Sequence, residues 1–120
     1  MIVAGFGFRK SAKVSSLRDA LASTGAVPDR LATVSGKVDH PAIVALAEQL
    51  NLQVVGVGEM DLSRQETLTR SVASDAAYGT GSVAEAAALF AAGTGAVLSI
   101  ARCVSEDRMA TCAIARGEPE

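Results

Sequence analysis

Tryptophan is missing from this 120-residue chain, which has one tyrosine and three phenylalanines. A core with so few large rings has to be built from Val, Leu, Ile and Ala, side chains that pack where helices lie close on a sheet. Histidine occurs once and cysteine twice. That set is too small and too badly spaced for a zinc site, and Cys103 and Cys112 form no C-x-x-C motif. No resident metal or cofactor is expected. No apolar run approaches the ~20 residues of a membrane span. The amino terminus lacks the basic region, apolar segment and cleavage site of a secretory signal. The formal net charge of −2, with no basic run and few aromatics to stack on bases, argues against nucleic acid. The expectation is a cytoplasmic protein starting at Met1, with neither a membrane nor a nucleic acid as partner.

Apolar residues are plentiful, at 49%, and the length suits a single domain over residues 1–120 that buries roughly two-thirds of its unfolded surface. Ile2-Val3-Ala4 reads as a strand ending in the glycine turn Gly5-Phe6-Gly7-Phe8-Arg9. A helix follows, with Val14, Leu17 and Leu21 on one side and a stop near Thr24-Gly25. Leu31 to Val34 is a second strand, broken by Ser35-Gly36. Asp39 is expected to cap a helix with Pro41 in its first turn and an inward stripe of Ile43, Leu46, Ala47 and Leu50. Gln53 to Val57 is a third strand. Such alternation implies crossovers and a mostly parallel sheet.

Between Gly58 and Gly81 the pattern weakens. Ser63 with Glu66 predicts a short helix through Leu68, and the rest reads as a lid or binding loop. The stretch from Gly79 to Gly93 is the best-marked helix in the chain. Ser82 caps it, Glu85 sits at capping-box spacing, Val83, Ala86, Ala87 and Phe90 share a face, and Gly93 closes it. Ala96 to Ala101 and Met109 to Ile114 are strands joined across Ser105-Glu106-Asp107-Arg108, a connection short enough to make them antiparallel. The fold class predicted is α/β: three layers, α/β/α, with a mixed, mostly parallel five-stranded sheet ending in an antiparallel hairpin. Cys103 and Cys112 fall on the two arms of that hairpin, where they could face each other. In a cytosolic chain two buried thiols are expected rather than a disulfide.

Ligands of open parallel sheets sit beyond the carboxyl ends of the strands. Gly5 and Gly7 would permit close backbone approach there, although the dinucleotide fingerprint fails because its third glycine falls at Lys10. Arg9, Lys10 and Lys13 surround the start of the first helix, where the dipole disfavours cations by ~0.3–1 kcal/mol. An anionic ligand would account for that placement; so would a solvated basic edge. Gly36-Lys37 resembles the end of a P-loop, but Leu31 occupies the first glycine position and Val38 the hydroxyl position, so that phosphate motif is rejected. Lys37 remains a candidate anion clamp, or a plain surface lysine. The N–H groups at Ser82 and Val83 would make an anion site at a helix start. Glu85 is either the capping partner of Ser82 or a general base for water. His40 reads as a surface histidine at a helix start, and Asp75 and Tyr78 as loop residues able to close over a ligand.

Taken together, Gly5-Phe6-Gly7-Phe8-Arg9, Thr33-Val34-Ser35-Gly36-Lys37-Val38-Asp39, Gly81-Ser82-Val83-Ala84-Glu85-Ala86-Ala87-Ala88-Leu89 and Ala110-Thr111-Cys112-Ala113-Ile114-Ala115 resemble the CobE family of cobalamin (vitamin B12) biosynthesis. That family is equivalent to the C-terminal domain of CbiG, the cobalt-precorrin-5A hydrolase, and the likeness runs from Ile2 to Arg116. It implies a role in building the corrin ring. Full-length CbiG opens the lactone of a cobalt-precorrin-5 intermediate and releases acetaldehyde, but its N-terminal and central domains have no counterpart in this chain. The resemblance therefore implies a protein that binds a tetrapyrrole-derived precorrin or corrin intermediate as carrier or pathway accessory. Arg9 and Lys37 would pair with ring carboxylates, and Gly5, Gly7, Ser82 and Val83 would offer backbone groups. The alternative is hydrolysis of the lactone or acyl group of a precorrin-5-type intermediate, with Glu85 as base. Other cobalamin-pathway enzymes are possible partners.

Overall fold

In the computed structural model, residues 1–65, Thr67 and residues 81–117 are described. Five strands form one sheet: β1 (Ile2–Phe8), β2 (Arg30–Val34), β3 (Val54–Val57), β4 (Val97–Val104) and β5 (Ala110–Arg116). Their order is β3-β2-β1-β5-β4. β1 pairs with β2, and β2 with β3, in parallel; β5 runs antiparallel to both β1 and β4. β5 alone is therefore reversed, and the sheet is mixed with most strands pointing one way, as the sequence predicts. The four helices among the described residues are α1 (Val14–Thr24), α2 (Pro41–Leu50), α3 (Glu59–Ser63) and α4 (Val83–Ala92).

The helices cover both faces. Leu17, Ala20 and Leu21 of α1 and Ile43 and Leu46 of α2 pack on Ala4, Phe6, Leu31, Cys112 and Ile114. On the opposite face Leu62 of α3 and Val83, Ala86, Ala87, Ala88 and Ala92 of α4 pack on Val3, Ala32, Val57 and Ala115. This alternation of Val3 and Ala4 between the two cores is the two-residue period of a strand buried on both sides. Among the described residues no helix is long and apolar enough to cross a membrane.

Helix ends follow local chemistry. Gly25, at φ 69°, closes α1 with its N–H on the Ala22 carbonyl, the left-handed stop that glycine adopts freely. α2 is capped by His40 rather than by Asp39: Nδ1 of His40 accepts the Ala42 N–H at 3.1 Å, and Pro41 takes the first helical position. α3 starts at Glu59, straight after Gly58, and ends at Ser63, the residue from which the sequence predicts a short helix. Glu59 and Asp61 in its first turn suit the dipole, and Leu62 is buried. Glu66, Leu68, Asp75 and Tyr78 lie outside the described residues.

Two expectations about the glycine-rich stretches change. The first strand does not stop at Ala4 but runs through Phe8, so Gly5 and Gly7 are strand residues paired with Ala113 and Thr111 of β5. The buried face of α4 is also broader than the predicted one: Val83, Ala86 and Ala87 are buried as expected, Ala84 and Ala88 join them, and Phe90 does not. Ala84 and Ala88 lie over Gly5, while Phe90 is 41% exposed. Closest approach between helix and strand selects the smallest side chains on both, not the largest apolar ones.

Candidate functional site: the carboxyl edge of the sheet

The carboxyl ends of β1, β2 and β3 lie at one edge of the sheet, and the reversal of β5 brings the turn at residues 105–109 there too. The Arg9 N–H donates to the Met109 carbonyl at 2.9 Å, and the Thr111 hydroxyl donates to the Gly7 carbonyl at 3.1 Å. Residues 9–13 connect β1 to α1 at this edge, and Arg9, Lys10 and Lys13 are all exposed on it. Lys13 is itself the N-cap residue of α1, the end at which a helix disfavours positive charge.

Lys37 is carried to the same place by the short 3-10 turn Ser35–Lys37 after β2. Its ammonium donates to the Phe8 carbonyl and lies 5.0 Å from the centre of the Phe8 ring, within cation–π range. Partial burial lowers the Lys37 pKa below the ordinary lysine value. The His40 ring meets Phe8 edge-on, with centroids 5.0 Å apart at 72°. Its Nε2 is 2.7 Å from the Lys10 carbonyl. Because Nδ1 accepts from Ala42, the Nε2 hydrogen is assigned as the donor to Lys10. His40 thus fastens the cationic loop after β1 to the start of α2. Sequence reasoning placed Arg9 and Lys37 on neighbouring turns, but it treated His40 as a surface residue and gave Phe8 no central place. The Asp39-His40-Pro41 string, with the only histidine at the N-cap position, is the signal that pointed to it.

The helix-start part of the predicted site is built differently from expectation. Gly5 is buried, and a Cβ there would fall 2.1 Å from the Ala84 carbonyl oxygen and 2.6 Å from the Ala88 nitrogen. Its lack of a side chain admits the α4 backbone, and no ligand backbone contact is available from that side. Gly7 lies beside Val83 and Thr111. Ser82 and Val83 are buried, 0% and 5% exposed, because the first turn of α4 is drawn down onto β1 and the Val83 side chain enters the core.

Ser82 does cap α4, its Oγ accepting the Glu85 N–H at 3.2 Å. The Glu85 carboxylate reaches elsewhere. Glu85 is fully buried, and Oε2 accepts the backbone N–H of Arg102 at 2.9 Å. In β4 the register shifts between Ile100, opposite Ile114, and Cys103, opposite Cys112. Ala101 and Arg102 therefore stand against Ala113 alone, which is a β-bulge. The bulge turns the Arg102 N–H out of the ladder, and Glu85 receives it. A general base must reach the proton it removes; Oε2 of this buried carboxylate is engaged by strand backbone.

What these elements define is a three-layer α/β protein with a cationic, aromatic-backed edge at the carboxyl ends of its parallel strands. The family described as Cobalamin synthesis G C-terminus matches residues 2–115, and the chain belongs to that family. CobE, a protein from the cobalamin (vitamin B12) biosynthetic pathway, superposes with a TM-score of 0.85 at 31% identity, over 96% of this chain and 92% of CobE. The cobalamin biosynthesis protein chiG from Agrobacterium tumefaciens str. C58 gives a TM-score of 0.75 at 31% identity, over 99% and 100% of the two chains. A third structure, described as a cobalamin biosynthesis protein G homolog from Sulfolobus solfataricus, shares the fold at 22% identity and a TM-score of 0.72, with 98% of this chain aligned to 37% of that one. No match was found among curated protein sequences.

Proposed function

We propose that this cobalamin-biosynthesis protein binds a precorrin or corrin intermediate by its carboxylates at the carboxyl edge of the sheet, and serves the pathway as carrier or accessory. The observation that carries the reading is the gathering of Arg9, Lys10, Lys13 and Lys37 at one end of the sheet, three of them around a helix start where they lower stability. An anion reverses that cost. Corrin precursors are apolar macrocycles fringed with carboxylates, so several separated cations suit them better than one deep pocket. Arg9 offers a planar fork to a carboxylate, Lys37 a point charge backed by the Phe8 ring, and the exposed lysines a screened outer field. Membership of the family supports a tetrapyrrole-related partner.

The test is titration of the purified protein with hydrogenobyrinic acid, followed by the corrin absorption bands. Saturable binding is expected. Arg9→Ala and Lys37→Ala should each weaken it about tenfold, equivalent to about 1.4 kcal/mol. Unchanged spectra, or affinity indifferent to both substitutions, would remove the proposal.

A further inference from the structure

Cys103 and Cys112 stand directly opposite each other in the β4–β5 ladder, and both are free thiols. Opposed residues of an antiparallel pair project to the same face with Cα atoms about 4.5–5.5 Å apart, inside the range of about 4.4–6.8 Å that a disulfide spans. Their surroundings differ. Cys112 is fully buried in the core under α1 and α2, where burial and the neighbouring Cys103 push its thiol pKa up. Cys103 is partly exposed on an edge strand. The bulge at Ala101 and Arg102 immediately precedes Cys103, and local irregularity of this kind leaves the edge strand room to adjust.

We propose that Cys103 and Cys112 form a reversible cross-strand dithiol–disulfide site, in which Cys103 meets the oxidant and Cys112 resolves it. With a hydroperoxide, the Cys103 thiolate attacks the outer oxygen and the O–O bond breaks. Cys103 becomes a sulfenic acid, and the leaving oxygen departs as water or alcohol with the thiol proton. The Cys112 sulfur then displaces the sulfenic oxygen. The S–S bond forms, and that oxygen leaves as water with the Cys112 proton. Each sulfur gives up one electron and the peroxide takes both; a small dithiol returns them by exchange. The bond staples the edge strand next to the Arg102 N–H that holds Glu85. The inference does not depend on the corrin reading.

Reduced protein is exposed to hydrogen peroxide, quenched in acid, unfolded, alkylated and weighed intact. The expected product is a monomer lighter by two hydrogens, with neither cysteine alkylated, a native far-UV spectrum before quenching, and full reversal by dithiothreitol. Cys103→Ser alters a partly exposed position and should abolish that product. Two alkylatable thiols after treatment, Cys103 driven to sulfinic acid, disulfide-linked dimers, or pairing only with loss of the native spectrum would each overturn it.

Discussion

Gly5 and Ala84 touch backbone to backbone: a methyl group on Gly5 would sit 2.1 Å from the Ala84 carbonyl oxygen. That contact sets how closely α4 lies on the sheet, and it converts a glycine that reads as a loop signal into a packing requirement.

Gly5→Ala should therefore destabilise the protein by about 3 kcal/mol or more, since neither a helix backbone nor a central strand can retreat. Gly36, where nothing lies within 4 Å, serves as control, and Gly36→Ala should stay within about 0.5 kcal/mol of the parent. Urea unfolding curves measure both; equal losses at the two positions would contradict the packing argument.

Glu85→Gln keeps an oxygen able to accept the Arg102 N–H, whereas Glu85→Ala leaves that donor unsatisfied and opens a cavity. The alanine variant should lose about 2–4 kcal/mol and the glutamine variant less than half as much. Hydrogen exchange at the Arg102 amide should quicken in the alanine variant. An unaltered amide would show that the carboxylate does not hold the bulge.

Asp107 joins the hairpin turn to α1, accepting from the hydroxyls of Ser105 and Ser16, each at 2.6 Å, and from the Met109 N–H at 3.0 Å. The Ser105 bond first, then those of Ser16 and Met109, hold its carboxyl below the ordinary aspartate value. A depressed folded-state pKa contributes stability that is present above the unfolded value, about 3.9, and is lost as pH falls through the folded one. Asp107→Asn should therefore lower stability at neutral pH and flatten the acid limb of the stability–pH curve, so that variant and parent converge as pH falls through the folded-state pKa. Identical acid limbs would rule out this contribution.

Lys37 has the opposite character, because burial favours its neutral form. Its charge is lost as pH rises through a pKa below the ordinary lysine value of about 10.4. Corrin affinity should accordingly begin to fall at a lower pH than exposed lysines would dictate. In Lys37→Arg, a side chain that stays charged, that early decline should be absent. Parent and variant alike should lose affinity with added salt, since Arg9, Lys10 and Lys13 are exposed to screening. Titrations at several pH values and ionic strengths separate the two effects.

Much of this architecture can be read locally. Strand–helix alternation through Val57, the Gly25 stop, the Ser82 cap and the short hairpin connection depend on residues within a few positions of one another. The cations at residues 9–13 and Lys37 could be assigned to neighbouring turns because parallel strands place their carboxyl ends together. Local pattern misses the end of β1 and, in α4, the inward place of Ala84 and Ala88 and the exposure of Phe90. Val83, Ala86 and Ala87 are buried as their spacing predicts, but the closest contact is made by Gly5, Ala84 and Ala88, and Phe90 is left outside it.

Sequence alone determined the α/β class, the hairpin and the family, since each rests on short-range patterns or ordered motifs. Only the tertiary structure decided that β5 enters between β1 and β4, that Glu85 serves the Arg102 N–H, that His40 ties the cationic loop to α2, and that Cys103 faces Cys112. Those pairings join residues far apart in the chain or depend on a bulge that shifts register, and side-chain period along one segment carries no information about the segment it will meet.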